Sequence, residues 1–427
     1  PYLGREAHLS RLPSIQRRRF LPHDFPVRLQ HMRKLYLDPR LQMVFGVTLM
    51  VVLGVSSIFP VIPDIMAEFG LSPAEVGLII TAFTLPGIIM APVGGMLADR
   101  VGRKTVLVPA LILFGVAGTL CAFAPNLSWL LGLRFLQGMG AGALGVLTNT
   151  LIGDLCHGPQ LTQAMGYNAG VLSFGTAIFP AIGGLLGLIG WHVPFILPIV
   201  ALPLAWVIMR KLDVSPPERS ENFGAYLRSA LKSMRNGPVR YIFLATTVSF
   251  ILLYGPVVTF LPILLSKRFE ASPAIIGLIV SSASLFSALA SSQLGRLSMR
   301  FGETRLLGAS YVFYALSFGL VPFLNDKWLF FLPLGLFGMA QGLAMPSITT
   351  LLTRLAPREY RGGYMAVYGM LLRLSQTVAP PLMAGVHALF GIAAVYWTGS
   401  ALALAMLATV LLLLQPAACR AEAEGKL

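Results

Sequence analysis

Charge is scarce in this chain, and negative charge scarcest of all. Only 11% of its 427 residues are charged, where a soluble domain carries roughly 25%. The 17 Asp and Glu are outnumbered by 32 Lys and Arg, for a net charge of +15. That scarcity excludes an ordinary soluble enzyme, a disordered chain and a fibre. Cysteine is nearly absent: Cys121, Cys156 and Cys419 show no metal spacing and build no disulfide framework. No Walker phosphate loop is present, which argues against ATP as the energy source. Residues 1–42 contain no apolar core of the signal-peptide kind.

What the chain has is hydrophobicity, 56% of residues, in long runs. Twelve runs of about 20 residues are long enough to cross the hydrocarbon core as helices. They fall near 43–63, 76–98, 105–124, 129–151, 163–188, 193–209, 241–265, 274–294, 306–324, 328–352, 363–386 and 391–415. None alternates apolar and polar residues, so helices are expected rather than barrel strands. The fold class expected is therefore all-α integral membrane, with twelve transmembrane helices.

The basic residues fix an orientation. With both termini in the cytoplasm, 27 of the 32 fall inside and three, Lys267, Arg268 and Lys327, outside. Arg134 and Arg373 lie within spans. This is the positive-inside pattern, and it accounts for the net charge without any nucleic-acid partner. The layout expected is a basic cytoplasmic tail over 1–42, a six-helix bundle over 43–210, a cytoplasmic linker over 211–240, a second bundle over 241–415 and a cytoplasmic tail over 416–427. Met32 marks an alternative start, because Arg33 and Lys34 would still anchor the inner side. Within the linker, Leu227, Ala230, Leu231 and Met234 share a helical face apart from Arg228, Lys232 and Arg235, as in a helix lying on the membrane surface.

The chain also repeats itself. Shifted by 200 positions, Ser72-Pro73 falls on Ser272-Pro273, Gly77 on Gly277, and Gly95, Arg100 and Gly102 on Gly295, Arg300 and Gly302. Pro180 falls on Pro380. One ungapped offset that aligns Pro, Gly and Arg across several loops implies two related halves in the same membrane orientation. Parallel halves are one plan of secondary transporters, with the substrate site between them.

The loop between spans 2 and 3 reads Gly95-Met-Leu-Ala-Asp99-Arg100-Val-Gly102-Arg103-Lys104. It resembles the signature of the major facilitator superfamily at every position. The second half carries a weaker copy in which Met299 replaces the acid. The resemblance implies that Asp99 caps the start of helix 11 near Gly362-Gly363, where the dipole favours an anion. It also implies a conformational network completed by Arg103, Asp154 and Arg361. Span 4 carries Arg134-Phe-Leu-Gln137-Gly-Met-Gly, and span 5 carries Gly166, Gly175, Pro180, Gly183 and Gly184. Both resemble the twelve-helix drug:proton antiporter branch, except that Phe179 stands where a glycine is expected.

Arginine at membrane depth costs about 2.5–3.5 kcal/mol on insertion scales. Arg134 and Arg373 are therefore the foremost candidates for a central cavity, with Gln137, Gln376 and Asn168 as polar neighbours. None of the 17 acids falls in mid-span, so Asp64 at the end of span 1 is the nearest candidate for a proton site. Phe250, Tyr254, Phe260, Tyr167 and Tyr368 would make the cavity aromatic, with Asn149 among its sparse polar groups. The reading that follows is a monomeric secondary transporter in a plasma membrane, bacterial inner membrane by expectation. It would work by alternating access, without cofactor, metal or nucleic acid, and export small hydrophobic or amphipathic compounds against inward proton flow. Uptake or facilitated movement of an anionic metabolite or lysolipid on the same fold is the alternative. An enzyme would need more than the adjacent Cys156-His157, and a sensor would bind without accumulating its ligand.

Overall fold

The computed structural model describes residues 35–213, 237–355 and 361–414. The surface helix expected within the linker and the tails beyond 34 and 414 lie outside the described residues. Six helices form the first half: α1 (Pro39–Phe69), α2 (Pro73–Val101), α3 (Arg103–Phe123), α4 (Leu127–Leu155), α5 (Pro159–Gly187) and α6 (Val193–Lys211). Six form the second: α7 (Gly237–Phe269), α8 (Pro273–Phe301), α9 (Glu303–Phe323), α10 (Lys327–Leu355), α11 (Arg361–Phe390) and α12 (Ile392–Leu414). Eleven are long and apolar enough to cross a bilayer. The twelfth, α11, has 30 residues and is the one that carries Arg373 and Gln376.

The helices run past the apolar runs at both ends, because caps and turn glycines rather than hydropathy set their limits. At the start of α2, Ser72 and Glu75 make a capping box and Pro73 takes the first turn. Gly102, at φ +98°, turns α2 into α3, and Gly302, at φ +78°, turns α8 into α9. Only glycine adopts that backbone without strain. The repeat is thus physical: α2 and α8 each have 29 residues, with bounds displaced by 200. At 1.5 Å per residue such a helix is about 44 Å long, enough to cross a membrane with tilt.

The two halves meet along α2 with α11 and α5 with α8, and among the described residues their backbone-to-backbone contacts and hydrogen bonds lie from mid-helix toward one face. The far face is where α2 begins at Pro73, and the near face is where it ends at Val101. Toward the far face Gly77 packs on Pro380, with a Cβ there 3.1 Å from the proline Cβ. Its repeat partner Gly277 packs on the Pro180 carbonyl. Thr81 donates to the Thr377 carbonyl at 2.9 Å, and Thr377 donates to the Thr84 hydroxyl at 2.9 Å. Ser284, the repeat partner of Thr84, donates to the Thr176 carbonyl at 3.0 Å. Toward the near face the same helices part. Gly166 and Gly170 on α5 and Gly369 on α11 have nothing within 4 Å of an added Cβ. Met365 on α11 is 38% exposed and Asn149 on α4 is exposed. The result is a cleft between the halves, closed at the far face and open at the near one.

Candidate functional site

The near-face loop is built around Arg103. It starts α3 and is only 8% exposed. Its Nη1 donates to Asp99 at the end of α2, and its Nε donates to Asp154 at the end of α4, at 2.9 Å. One guanidinium thus ties three helices of the first half together. Arg100 is exposed and Lys104 half-buried, beside the turn at Gly102, and Gly95 packs on Val146 of α4. Asp99 is held within its own half by Arg103. The side chains of Arg361, Gly362 and Gly363, expected to meet Asp99, lie outside the described residues. In the second half Glu303 and Arg354 occupy the positions of Arg103 and Asp154 with the signs exchanged. They form a bridge with oxygens 2.8 and 3.1 Å from the guanidinium nitrogens. The missing acid at Met299 had hidden this pair from sequence reading. The 200-residue offset applied to Arg103 and Asp154 would have found it.

Arg134 and Gln137, expected in the cleft, are enclosed within the first bundle instead. Arg134 is 2% exposed, and its Nη1 donates to the Gly54 carbonyl at 2.9 Å and to Gln137 Oε1 at 2.7 Å. Its guanidinium carbon lies 4.4 Å from the centre of the Phe83 ring, a cation–π contact. The cause is the break in α1. Near Pro60 the helix tightens, Ile58 N bonds back to Val55, and the Gly54 carbonyl loses its usual partner. Arg134 supplies the missing donor. Its placement therefore answers a buried backbone acceptor, which must be satisfied.

The α5 residues divide between the two helices that flank it. Gly175 packs on Leu49 and Val52 of α1, and the Phe179 ring folds back to 3.2 Å from a Cβ at Gly175. Gly183 lies on the Ser57 carbonyl of α1 and Gly184 on Pro273 of α8. Pro180 is buried against Gly277, while Gly166 faces open space. Asn168 is 8% exposed and is bonded to Thr48 of α1 at 2.6 Å. It belongs to the α1–α5 seam. Asp64 is half-buried near the far end of α1 and makes no hydrogen bond or ion pair among the described residues.

Arg373 is the charged side chain at the seam between halves. Its stem lies against Gly87 of α2, with Cδ 3.5 Å from a Cβ there, and its Nη2 lies 3.1 Å from a Cβ at Gly145 of α4. Its Nη1 donates to Gln376 Oε1 at 3.3 Å. Tyr254 of α7 lies within its electrostatic reach. Gly87 and Gly145 have no repeat equivalents, since positions 287 and 345 are Ser and Met. Sequence reading missed them for that reason. Their role shows only once α11 is seen crossing α2 and α4.

Residues 44–269 and 242–426 match the family model of the Major Facilitator Superfamily. The chain belongs to this family. It is a multi-pass membrane transporter for small molecules. Among curated relatives, the "Quinolone resistance protein NorA" of Staphylococcus aureus (strain COL) is 26% identical over 325 residues, 75% of this chain and 83% of that protein. The "Bacillibactin exporter" of Bacillus subtilis (strain 168) is 27% identical over 355 residues, 79% of this chain and 87% of that one. Among solved structures, a D-xylose-proton symporter superposes with a TM-score of 0.73 at 15% identity, covering 88% and 98% of the two chains. A bacterial homologue of the human lysosomal transporter Spinster, in an inward-facing and unoccupied conformation, gives 0.69 at 17% identity, covering 90% and 96%. These likenesses show the fold.

Proposed function

We propose that this transporter exports small hydrophobic or amphipathic compounds by alternating access, coupled to inward proton flow. The observation that carries the reading is the cleft: closed at one face by contacts that repeat across the two halves, and open at the other. In this reading the near face is cytoplasmic, which the distribution of Lys and Arg supports, and the protein sits in a plasma membrane of bacterial type. The structure is then the cytoplasm-open state, and Arg103 holds Asp99 and Asp154 within the first half while that face is parted. Rocking the halves would exchange the far-face contacts for near-face ones. The two efflux relatives named above support export as the direction. Asp64, unpaired near the far end, is the proposed proton site, and a monomer is the proposed working unit.

The lack of any acid in mid-span favours a second reading on the same fold, potential-driven movement of an anion. Proteoliposomes test both. A fluorescent amphipathic compound should move at a rate that follows an imposed pH gradient. Equal flux with and without that gradient removes proton coupling. Flux that instead follows a clamped potential selects the second reading.

A further inference from the structure

The cleft holds a cation with no counter-charge. No carboxylate of the whole sequence falls in mid-span, and among the described residues Arg373 makes no ion pair. We propose that the cleft binds an amphipathic organic anion, a carboxylate or sulfonate on an apolar body, and that Arg373 receives its head group. This deepens the export reading and rests on it for the direction of transport alone.

Three observations carry it. Gln376 takes Nη1, and Nε and Nη2 make no hydrogen bond among the described residues. Those two nitrogens form the edge of a guanidinium that a carboxylate grips with two parallel bonds. The facing half makes room for the guanidinium itself, with Gly87 beside the stem and Nε and Gly145 beside Nη2, and neither nitrogen is among the fully enclosed unpaired atoms. The approach is also clear. Gly369, one turn toward the near face on the same side of α11, has nothing within 4 Å of an added Cβ. A ligand entering from the near face meets the guanidinium where the cleft ends, with the half-buried Tyr254 of α7 nearby. A guanidinium without a counter-charge at that depth is costly, and an anion relieves the cost. Arg134 differs in place rather than in pairing: its Nη1 serves both Gly54 and Gln137 and its Nε has no partner, but it is enclosed within the first bundle, 2% exposed and out of reach of the seam.

The test is binding to the full chain in nanodiscs. The probes are dansylglycine, which carries a carboxylate, and the same fluorophore on a trimethylammonium chain, both read by fluorescence anisotropy. Dansylglycine should bind the wild type saturably and at least tenfold more tightly than the cation. Arg373→Gln should weaken the anion about tenfold or more and leave the cation within twofold, and Arg373→Lys should restore part of the loss. No saturable anion binding to the wild type overturns the proposal, as does equal or tighter binding of the cation. Neither of these needs the variant to fold. An anion affinity within twofold of wild type in Arg373→Gln also overturns it. Anion-selective binding without vesicle flux would uphold this site and sink the export reading. Flux together with cation-selective binding would do the reverse.

Discussion

Gly277→Ala puts the alternating-access geometry to a direct test. Gly277 on α8 faces the backbone of α5, not a side chain. An added Cβ would overlap the Pro180 carbonyl oxygen and lie 3.0 Å from its carbon and 3.3 Å from Ala181 Cα. A flexible neighbour could turn aside, but a helix backbone must translate, here by several tenths of an ångström or more. Overpacking of that kind costs about 1–3 kcal/mol. The cost falls on one state only, because the contact exists while the far face is closed and vanishes when that face opens. The equilibrium should therefore shift about 5- to 150-fold toward the state open at the far face. Spin labels at Glu68→Cys and Lys267→Cys, exposed near the far ends of α1 and α7, report the change by electron–electron double resonance. The long-distance population should grow in Gly277→Ala. Gly132→Ala, with open space around its added Cβ, should leave the distribution unchanged. If the two variants give the same distribution, the far-face contact does not hold the closed state, and the reasoning fails.

Thr377→Val removes the donor to Thr84 and should move the same equilibrium the same way by about 1 kcal/mol, the net worth of one hydrogen bond; an unchanged spin-label distribution counts against it. Arg134→Met leaves the Gly54 carbonyl and Gln137 Oε1 without their donor. At about 1–3 kcal/mol for each stranded acceptor, the loss should appear as a lower midpoint in thermal unfolding followed by intrinsic fluorescence, and a wild-type midpoint would refute the capping role. Arg103→Gln should cost less, about 1–2 kcal/mol, since Asp99 and Asp154 keep partial access to water. Its unfolding midpoint should fall below wild type, and a midpoint equal to wild type would deny the tie. A monoanionic cargo should respond to potential by about 2.3 kcal/mol per 100 mV, close to a 50-fold gradient at steady state. Valinomycin-clamped proteoliposomes measure it, and a gradient independent of potential would exclude net movement of one charge.

Much of this was legible in the residues, and the legible parts share a cause. Hydropathy located all twelve helices because lipid leaves the backbone no other solution. Their ends were not legible from hydropathy, since Ser72, Glu75 and Gly102 act through caps and turns that continue past the apolar run. The pairing of Arg103 with Asp154 is implied by the family resemblance and is present in the structure as a direct bond. Arg134 shows the limit. Depth made it a candidate for the cleft, but depth is a coordinate along the helix, and the cleft is a direction around it. Which way position 134 points depended on a carbonyl 80 residues earlier, freed by the kink near Pro60. Gly87 and Gly145 were silent for a related reason: a glycine that makes room for another helix's side chain has no signal until the crossing is known.

The two halves are alike where they must fit each other and differ in their buried and paired charges. Gly77 on Pro380 and Gly277 on Pro180 are one contact made twice, and Thr84 and Ser284 both take part in bonds across the seam. A seam that opens and closes by rocking needs matched edges, since a surplus on one side would tilt the bundle rather than part it. Charge is under no such constraint. Arg103 with Asp154 and Glu303 with Arg354 do the same tying in each half with signs reversed, because a salt bridge depends on the product of its charges. Position 173 is Ser where 373 is Arg, and position 334 is Leu where 134 is Arg. A guanidinium at the seam between halves, if duplicated by the repeat, would set two like charges near each other in low dielectric. The symmetric frame therefore favours one asymmetric charge at the seam, and Arg373 is where the sequence departs from its own repeat to supply it.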